Sequence, residues 1–302
     1  MFPHRSLDSL LPVVEDAVDR LLDQFTEDLH QGPVDFHALV SEELPVITIG
    51  KWMALPSSDY GLLRTLTHDQ VFSQELFPTA SQLARSDAAT TQMRHYFIEL
   101  IRERRERPGD DLVSSWLRTW DACEPDRDLA DEAVHSLALF MILAALETTS
   151  HVLSSAVRLL LEHPSQMDRL GHHPELIPDA VEEVLRYDAP IHMISRVAPA
   201  DTQLGAVLVP DGQMVQLMVG AAHHDPDQFP NPHLFDIRRR SPHLAFGAGI
   251  HYCLGNALAR LEVTALLRSL LSSPVRPRLS APVQWAPRVA FRRITSLQLT
   301  HS

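Results

Sequence analysis

From about Leu129 to Glu162 the chain runs without a proline or a glycine. Neither residue that most readily breaks a helical hydrogen-bond ladder is present there. At ~1.5 Å per residue, a helix of this length crosses a whole domain. Asp128 is a plausible N-cap, with Asp131 and Glu132 in the first turn, where negative charge meets the positive end of the helix dipole. Pro164 stops it. The middle, Leu137 to Leu146, is apolar on nearly every face, which predicts burial, and this run is too short to span a bilayer.

Shorter helices are predicted before it. Val14, Val18, Leu21, Phe25 and Leu29 recur at steps of three or four, the period of one helix face. Helical patterns follow at about 36–53, 59–74 and 88–105. Arg107-Pro108-Gly109-Asp110-Asp111 breaks the pattern, and either aspartate can cap the next helix. A further helix is predicted at Ile177 to Tyr187. After Pro190 the character changes. Gln203 to Val209 and Met214 to Val219 are short strand-like runs around Pro210-Asp211-Gly212, which predicts that they pair as a hairpin. A proline-rich loop from His223 to Pro242, a helix from about Leu254 to Leu271 and a β-rich tail from Val283 to Thr300 complete the chain. The fold class is mainly α with small β-sheets. One domain over 1–302 is expected, helical to about 190 and mixed β and loop from about 191.

The 302 residues suffice for a sizeable core. A formal net charge of -13 argues against nucleic acid as a partner, because phosphate contacts want a basic surface. Lys51 is the only lysine. The skew to arginine suits bidentate carboxylate pairing and equally fits a GC-rich coding sequence. Two cysteines, Cys123 and Cys253, make no disulfide framework and fit a reducing compartment. The segment Met1 to Leu11 has no long apolar core, so neither a signal peptide nor a membrane anchor is expected, and the protein is expected in the cytoplasm.

The most informative stretch is Phe246-Gly247-Ala248-Gly249-Ile250-His251-Tyr252-Cys253-Leu254-Gly255. Two closely spaced glycines allow turns that side chains forbid. Cys253 then precedes a helix, whose free amides favour a thiolate over a thiol. A thiolate is a soft, electron-rich ligand suited to iron. A buried structural cysteine beside a glycine turn is the alternative for a lone cysteine. Six fixed residue types in ten positions, followed by Ala257-Leu258-Ala259-Arg260, resemble the haem-binding signature of the cytochrome P-450 family, in its soluble bacterial form.

That resemblance implies a haem-thiolate monooxygenase carrying haem b (iron protoporphyrin IX), with Cys253 as the iron ligand. Phe246, Gly247, Gly249 and Gly255 would shape the cofactor's bed, and His251 would bond one of its carboxylates. Other landmarks match. Glu183-Val184-Leu185-Arg186 resembles the family's buried structural Glu-x-x-Arg pair. Ala144-Ala145-Leu146-Glu147-Thr148-Thr149 resembles its oxygen-activation segment, with Ala144 against the cofactor and Glu147 and Thr148 relaying protons. Read locally, Thr148 can equally bond its own helix carbonyl while Glu147 faces solvent. Arg196 stands where the family places a haem-propionate arginine, with charge-assisted pairing as its role. Ile191, His192, Met193 and Ile194, with Val289, Ala290 and Phe291, would border the pocket. The resemblance further implies insertion of one oxygen atom from O2 into a small hydrophobic substrate, in secondary metabolism, with electrons from a ferredoxin-type donor. Arg238, Arg239, Arg240, Arg260 and Arg268 are either a docking face for that donor or a solvated loop.

Three departures from the family pattern qualify this. The resemblance begins near Phe2, around the family's fourth helix, so the N-terminal quarter of the fold is expected to be missing, one side of the haem open and strands near 203–219 short of partners. Leu234, in Asn231-Pro232-His233-Leu234-Phe235, replaces an arginine that completes the Glu183–Arg186 network, leaving His224, His233 or backbone carbonyls to satisfy that pair. Ala145 replaces a glycine that makes room for dioxygen. Two other readings stay open: a haem-free relative that stabilises a partner enzyme such as a glycosyltransferase, against which the intact Cys253 motif stands, and an inactive truncated reading frame in which Met1 is internal.

Overall fold

A computed structural model describes residues 8–301; the expectations resting on Met1 and Phe2 lie outside the described residues. The long glycine- and proline-free stretch is one helix, α6 (Arg127–Glu162), and it is the spine of the fold. Its cap is Asp126, not Asp128: the Asp126 carboxylate takes the amides of Asp128 and Leu129, because Asp126 is the residue with extended backbone. Asp128 falls in the first turn instead. By length and composition alone α6 holds a window apolar enough to cross a membrane. Its two halves serve two hydrophobic cores, which accounts for only part of the apolar character. Within Leu137 to Leu146 only Ala138, Ile142 and Leu146 are buried, while Leu137, Phe140 and Ala144 are exposed, against the burial expected for the whole run.

The first half of α6, from Val134 to Leu146, packs into a core with α2 (Glu43–Trp52), α3 (Tyr60–Gln70), α4 (Ala80–Glu106) and α5 (Leu112–Cys123). Phe97, Met93, Leu63 and Ile142 are fully buried there. The second half, from Val152 to Leu160, joins α1 (Leu11–Leu29), α8 (Ile177–Tyr187) and α10 (Asn256–Ser272) in the other core, around Phe25, Phe36, Leu153 and Phe235. Each large apolar side chain so buried contributes about 1.5–3 kcal/mol. Short α7 (Pro164–His172) and α9 (Val219–Ala222) complete the helices named here.

Several boundaries differ from the sequence reading. The helix expected at 88–105 begins at Ala80, because Thr79 and Gln82 form a reciprocal capping box. The 36–53 pattern divides into a π turn, His37–Ser41, and α2. Asp111, not Asp110, caps α5 through the Ser114 amide.

The sheets are small. β1 (Val34–Asp35), β9 (Gln298–His301) and β6 (Pro277–Leu279) form one sheet with β9 in the centre, tying the chain's end to its first third. The expected hairpin is rearranged. β3 (Thr202–Leu204) and β4 (Val207–Val209) pair with each other across Gly205, whose φ of 57° permits the reversal. β5 (Met214–Leu217) pairs instead with β2 (Ile194–Val197), antiparallel, with Arg196 opposite Val215. β7 (Gln284–Trp285) and β8 (Ile294–Ser296) form the last pair, and the loop between them returns to the helical part.

Candidate functional site

The cysteine loop is built by its glycines. Gly247 and Gly249 have φ of 69° and 65°, which side chains disfavour. The reversal lets the Cys253 amide reach the Phe246 carbonyl at 2.9 Å and the Tyr252 amide reach Gly249 at 3.1 Å. Cys253 lies just ahead of α10, whose N-cap is Gly255, and its thiol is half-buried. Burial pushes the thiol pKa up, while the backbone amides of Gly255 and Asn256 and the Arg260 charge pull it down. The amides act in the expected direction, burial outweighs them in the chain by itself, and a metal's charge beside the sulfur would favour the thiolate. Arg260 stacks on Phe246, 4.4 Å from its ring centroid, and ion-pairs with Glu182 at 2.6 Å.

The donor set fits a haem. A single soft sulfur at the head of a helix matches iron ligation by thiolate. The loop exposes apolar side chains that water does not favour: Ile250 is 97% exposed and Leu254 62%. On α6, which packs against α10, the stripe Leu137, Phe140 and Ala144 is likewise uncovered. A flat apolar cofactor is the kind of group that would cover such surfaces. His251 and Arg196 are both exposed; the Arg196 guanidinium bonds only its neighbour's carbonyl, on Ser195 at 2.8 Å, among the contacts seen here.

Glu147 and Thr148 point to different surroundings. The Thr148 hydroxyl donates to the Ala144 carbonyl at 2.7 Å and stays partly exposed on the α6 stripe. Glu147 does not face solvent: it is 2% exposed and ion-paired with Arg288. Its other oxygen, Oε2, lies 3.7 Å from His68 Nδ1 on α3. The loop carrying Arg288 also brings Val289, Ala290 and Phe291 beside 191–194, through an Ile191–Phe291 bridge and the His192 amide on the Ala290 carbonyl at 2.9 Å. Glu75 holds this loop by accepting the amides of Val289, Ala290 and Phe291 at 3.0, 3.3 and 3.4 Å.

Glu183 and Arg186 form a buried bidentate pair, both 1% exposed. Arg186 also donates to the carbonyls of His223 and Pro232 at 2.8 and 3.0 Å. The Leu234 side chain is exposed and takes no part. The missing guanidinium comes from Arg239, five residues on, whose Nε reaches Glu183 at 3.2 Å while its other nitrogens hold the carbonyls of Pro230, Asn231 and Leu234. Carbonyls were among the expected partners; Arg239 was not, and His224 and His233 stack on each other at 5.2 Å instead. The arginines near the loop are not a bare basic face. Arg238 pairs with Asp236, Arg240 with Asp179, and Arg260 with Glu182.

No local pattern marks His68, Glu42, Glu75, Arg239 or Arg288 as site residues. Each acts across a long sequence separation, and only the folded chain assembles them.

The comparisons with known proteins agree with this geometry. The family model described as Cytochrome P450 matches residues 64–273. The biotin biosynthesis cytochrome P450 of Bacillus subtilis is 34% identical over 305 residues, spanning 99% of this chain and 74% of that protein. The 6-deoxyerythronolide B hydroxylase of Saccharopolyspora erythraea is 34% identical over 294 residues, 97% of this chain and 69% of that protein. Among solved structures, P450BioI in complex with an acyl carrier protein ligated to hexadec-9Z-enoic acid superposes with a TM-score of 0.92 at 32% identity, covering 100% of this chain and 76% of that one.

Proposed function

The chain belongs to the cytochrome P450 family, and on that premise we propose that it is a monooxygenase acting on a small hydrophobic molecule of secondary metabolism, with Cys253 holding the haem iron. It is an enzyme of the P450 type, and haem is the cofactor of its family. When bound, the haem supplies dioxygen activation and the insertion of one oxygen atom into substrate. The observation that carries the reading is the half-buried Cys253 thiol at the head of α10, beside uncovered apolar surface.

The chain's own residues have separate tasks in this reading. Cys253 would hold the cofactor's iron, and the turns at Gly247 and Gly249, with Phe246 and Gly255, would let the backbone approach the group closely. His251 and Arg196 hold its carboxylates. The apolar Leu137, Phe140 and Ala144 stripe would exclude water from the bound group. The Thr148 hydroxyl stands on that stripe, bonded to the Ala144 carbonyl, and Glu147 lies behind it, paired with Arg288; together they would relay protons. Residues 191–194 and 289–291 border the substrate. Two relatives carrying names from secondary metabolism, the 6-deoxyerythronolide B hydroxylase and a luteothin monooxygenase of Streptomyces thioluteus, support the substrate class. Redox partners are general to the family. A ferredoxin-type donor is proposed on that chemistry, without help from the arginine loop, whose charges are largely paired internally. A cytoplasmic location is proposed on the two free cysteines.

The test is an absorption spectrum of haem-supplemented protein, reduced and exposed to carbon monoxide. A thiolate-type Soret shift that disappears in Cys253→Ser supports the reading. A well-folded protein with no Soret band favours a haem-free scaffold role instead.

A further inference from the structure

Behind Glu147 lies a buried chain of alternating acids and imidazoles. His68 sits between two carboxylates: its Nε2 is 3.0 Å from Glu42 Oε1, and its Nδ1 is 3.7 Å from Glu147 Oε2. Glu147 Oε2 and His68 Nδ1 are both buried and neither has a hydrogen-bond partner. Two orphaned polar atoms facing each other across slightly more than bonding distance can be joined by a small rotation of either side chain. Glu42 continues the chain to His37 Nε2 at 3.1 Å, and His37 Nδ1 meets the Ser154 hydroxyl at 2.9 Å. Glu42 also lies 3.6 Å from Arg64, whose side chain is 26% exposed, so this end of the chain approaches solvent.

From these contacts we infer that His68 passes protons between Glu42, at the solvent side, and Glu147, on α6. The inference rests on the monooxygenase reading and deepens it by naming how Glu147 is resupplied. His68 acts through Glu147 and is a positioning residue, not a group at the reacting atoms.

The surroundings of Nε2 support both protonation states. Arg293 Nη2 lies 3.0 Å from the same nitrogen that faces Glu42. As imidazolium, His68 donates through Nε2 to Glu42. As neutral imidazole with the proton on Nδ1, it accepts from Arg293 through Nε2 and offers Nδ1–H to Glu147 Oε2. The transfer balances: Nε2 gains a proton from the Glu42 side, Nδ1 loses one to Glu147, and ring reorientation or back-transfer along the chain resets the imidazole. The charged groups facing the ring set its titration: Glu147 from α6, Glu42 ahead of α2, and Arg288 and Arg293 from the loop between β7 and β8, with Arg288 also donating to the His68 carbonyl at 3.2 Å. Burial disfavours the charged ring, but the Glu147 and Glu42 carboxylates outweigh it and raise the His68 pKa, while Arg293 opposes them.

The first test needs no haem. The His68 ring is titrated by NMR in the whole chain and in Glu147→Gln and Glu42→Gln. A raised pKa that falls by about one unit or more in each variant is expected, as for loss of a carboxylate within a few ångströms. A His68 titration unmoved by Glu147→Gln overturns the link. The second test uses the haem-loaded chain with a surrogate ferredoxin and its reductase as the electron source. His68→Gln keeps a polar side chain but cannot shuttle protons. It should slow dioxygen consumption roughly ten-fold or more, raise the solvent deuterium isotope effect and flatten the pH profile, with the Soret band unchanged. A variant with the wild-type isotope effect and pH profile refutes the relay. If no haem is bound at all, the monooxygenase reading fails, and the NMR titration still decides whether His68 couples the two acids.

Discussion

Glu262 offers the sharpest test of the packing. It lies on α10, 2% exposed, between the two cores, and its Oε1 has no hydrogen-bond partner. Burial raises its pKa from 4.5 to about 8, with only the Thr48 side chain pulling the other way. The native carboxyl is therefore protonated at neutral pH. Between these two values the unfolded chain binds fewer protons at this site than the native one, so stability falls as pH rises from about 4.5 and levels off above about 8. At about 1.4 kcal/mol per unit, the full span gives an upper figure of about 5 kcal/mol. Relaxation and water entry around a buried carboxylate reduce this to about 2–4 kcal/mol. Glu262→Gln keeps the shape and stays neutral. Its urea midpoint should match wild type near pH 5 and exceed it progressively toward pH 9, and taking the difference between the two proteins cancels the other titrating groups. Parallel midpoints across that range would show that Glu262 ionises freely in the folded protein and that the burial argument is wrong.

Other outcomes follow from the same structure. Arg239→Leu should destabilise the chain by about 2–3 kcal/mol in chemical denaturation, because it strips one charge partner from buried Glu183; Leu234→Ala, at an exposed position, should change stability by less than about 0.5 kcal/mol. Asp188 accepts from Ser155, Arg158 and Arg292, and although burial works against its charge, its basic neighbours lower its pKa from 3.8 to about 2. Its contribution is therefore full above about pH 4 and lost as pH falls through about 2, and Asp188→Asn should remove that part of the acid-denaturation slope. Gly50→Ala drives a methyl into the Tyr60 ring, a clash that should lower stability by about 1–3 kcal/mol in thermal or urea melts. Asp126→Ala should cost about 1 kcal/mol through loss of the α6 cap.

The features legible in the sequence are those encoded by neighbours along the chain. The long helix followed from the absence of proline and glycine, and the cysteine loop from its glycines. Glu183 and Arg186 were visible because three residues along a helix brings side chains to one face. The capping box is also written locally, in Thr79 and Gln82, yet the helix expected from 88 starts eight residues earlier.

What the sequence by itself determined was therefore local: where helices run, where the backbone reverses, and which sulfur stands at a helix start, since these depend on φ and ψ preferences and on side chains within one turn. Only the tertiary structure decided the rest. Strand β5 pairs with β2 because both runs suit a pleated surface equally well and long-range packing chooses between them. Glu147 sits buried beside Arg288 and His68, and Arg239 stands in for the arginine that Leu234 displaced, because a buried charge takes whatever partner the fold brings within reach, at any separation along the chain.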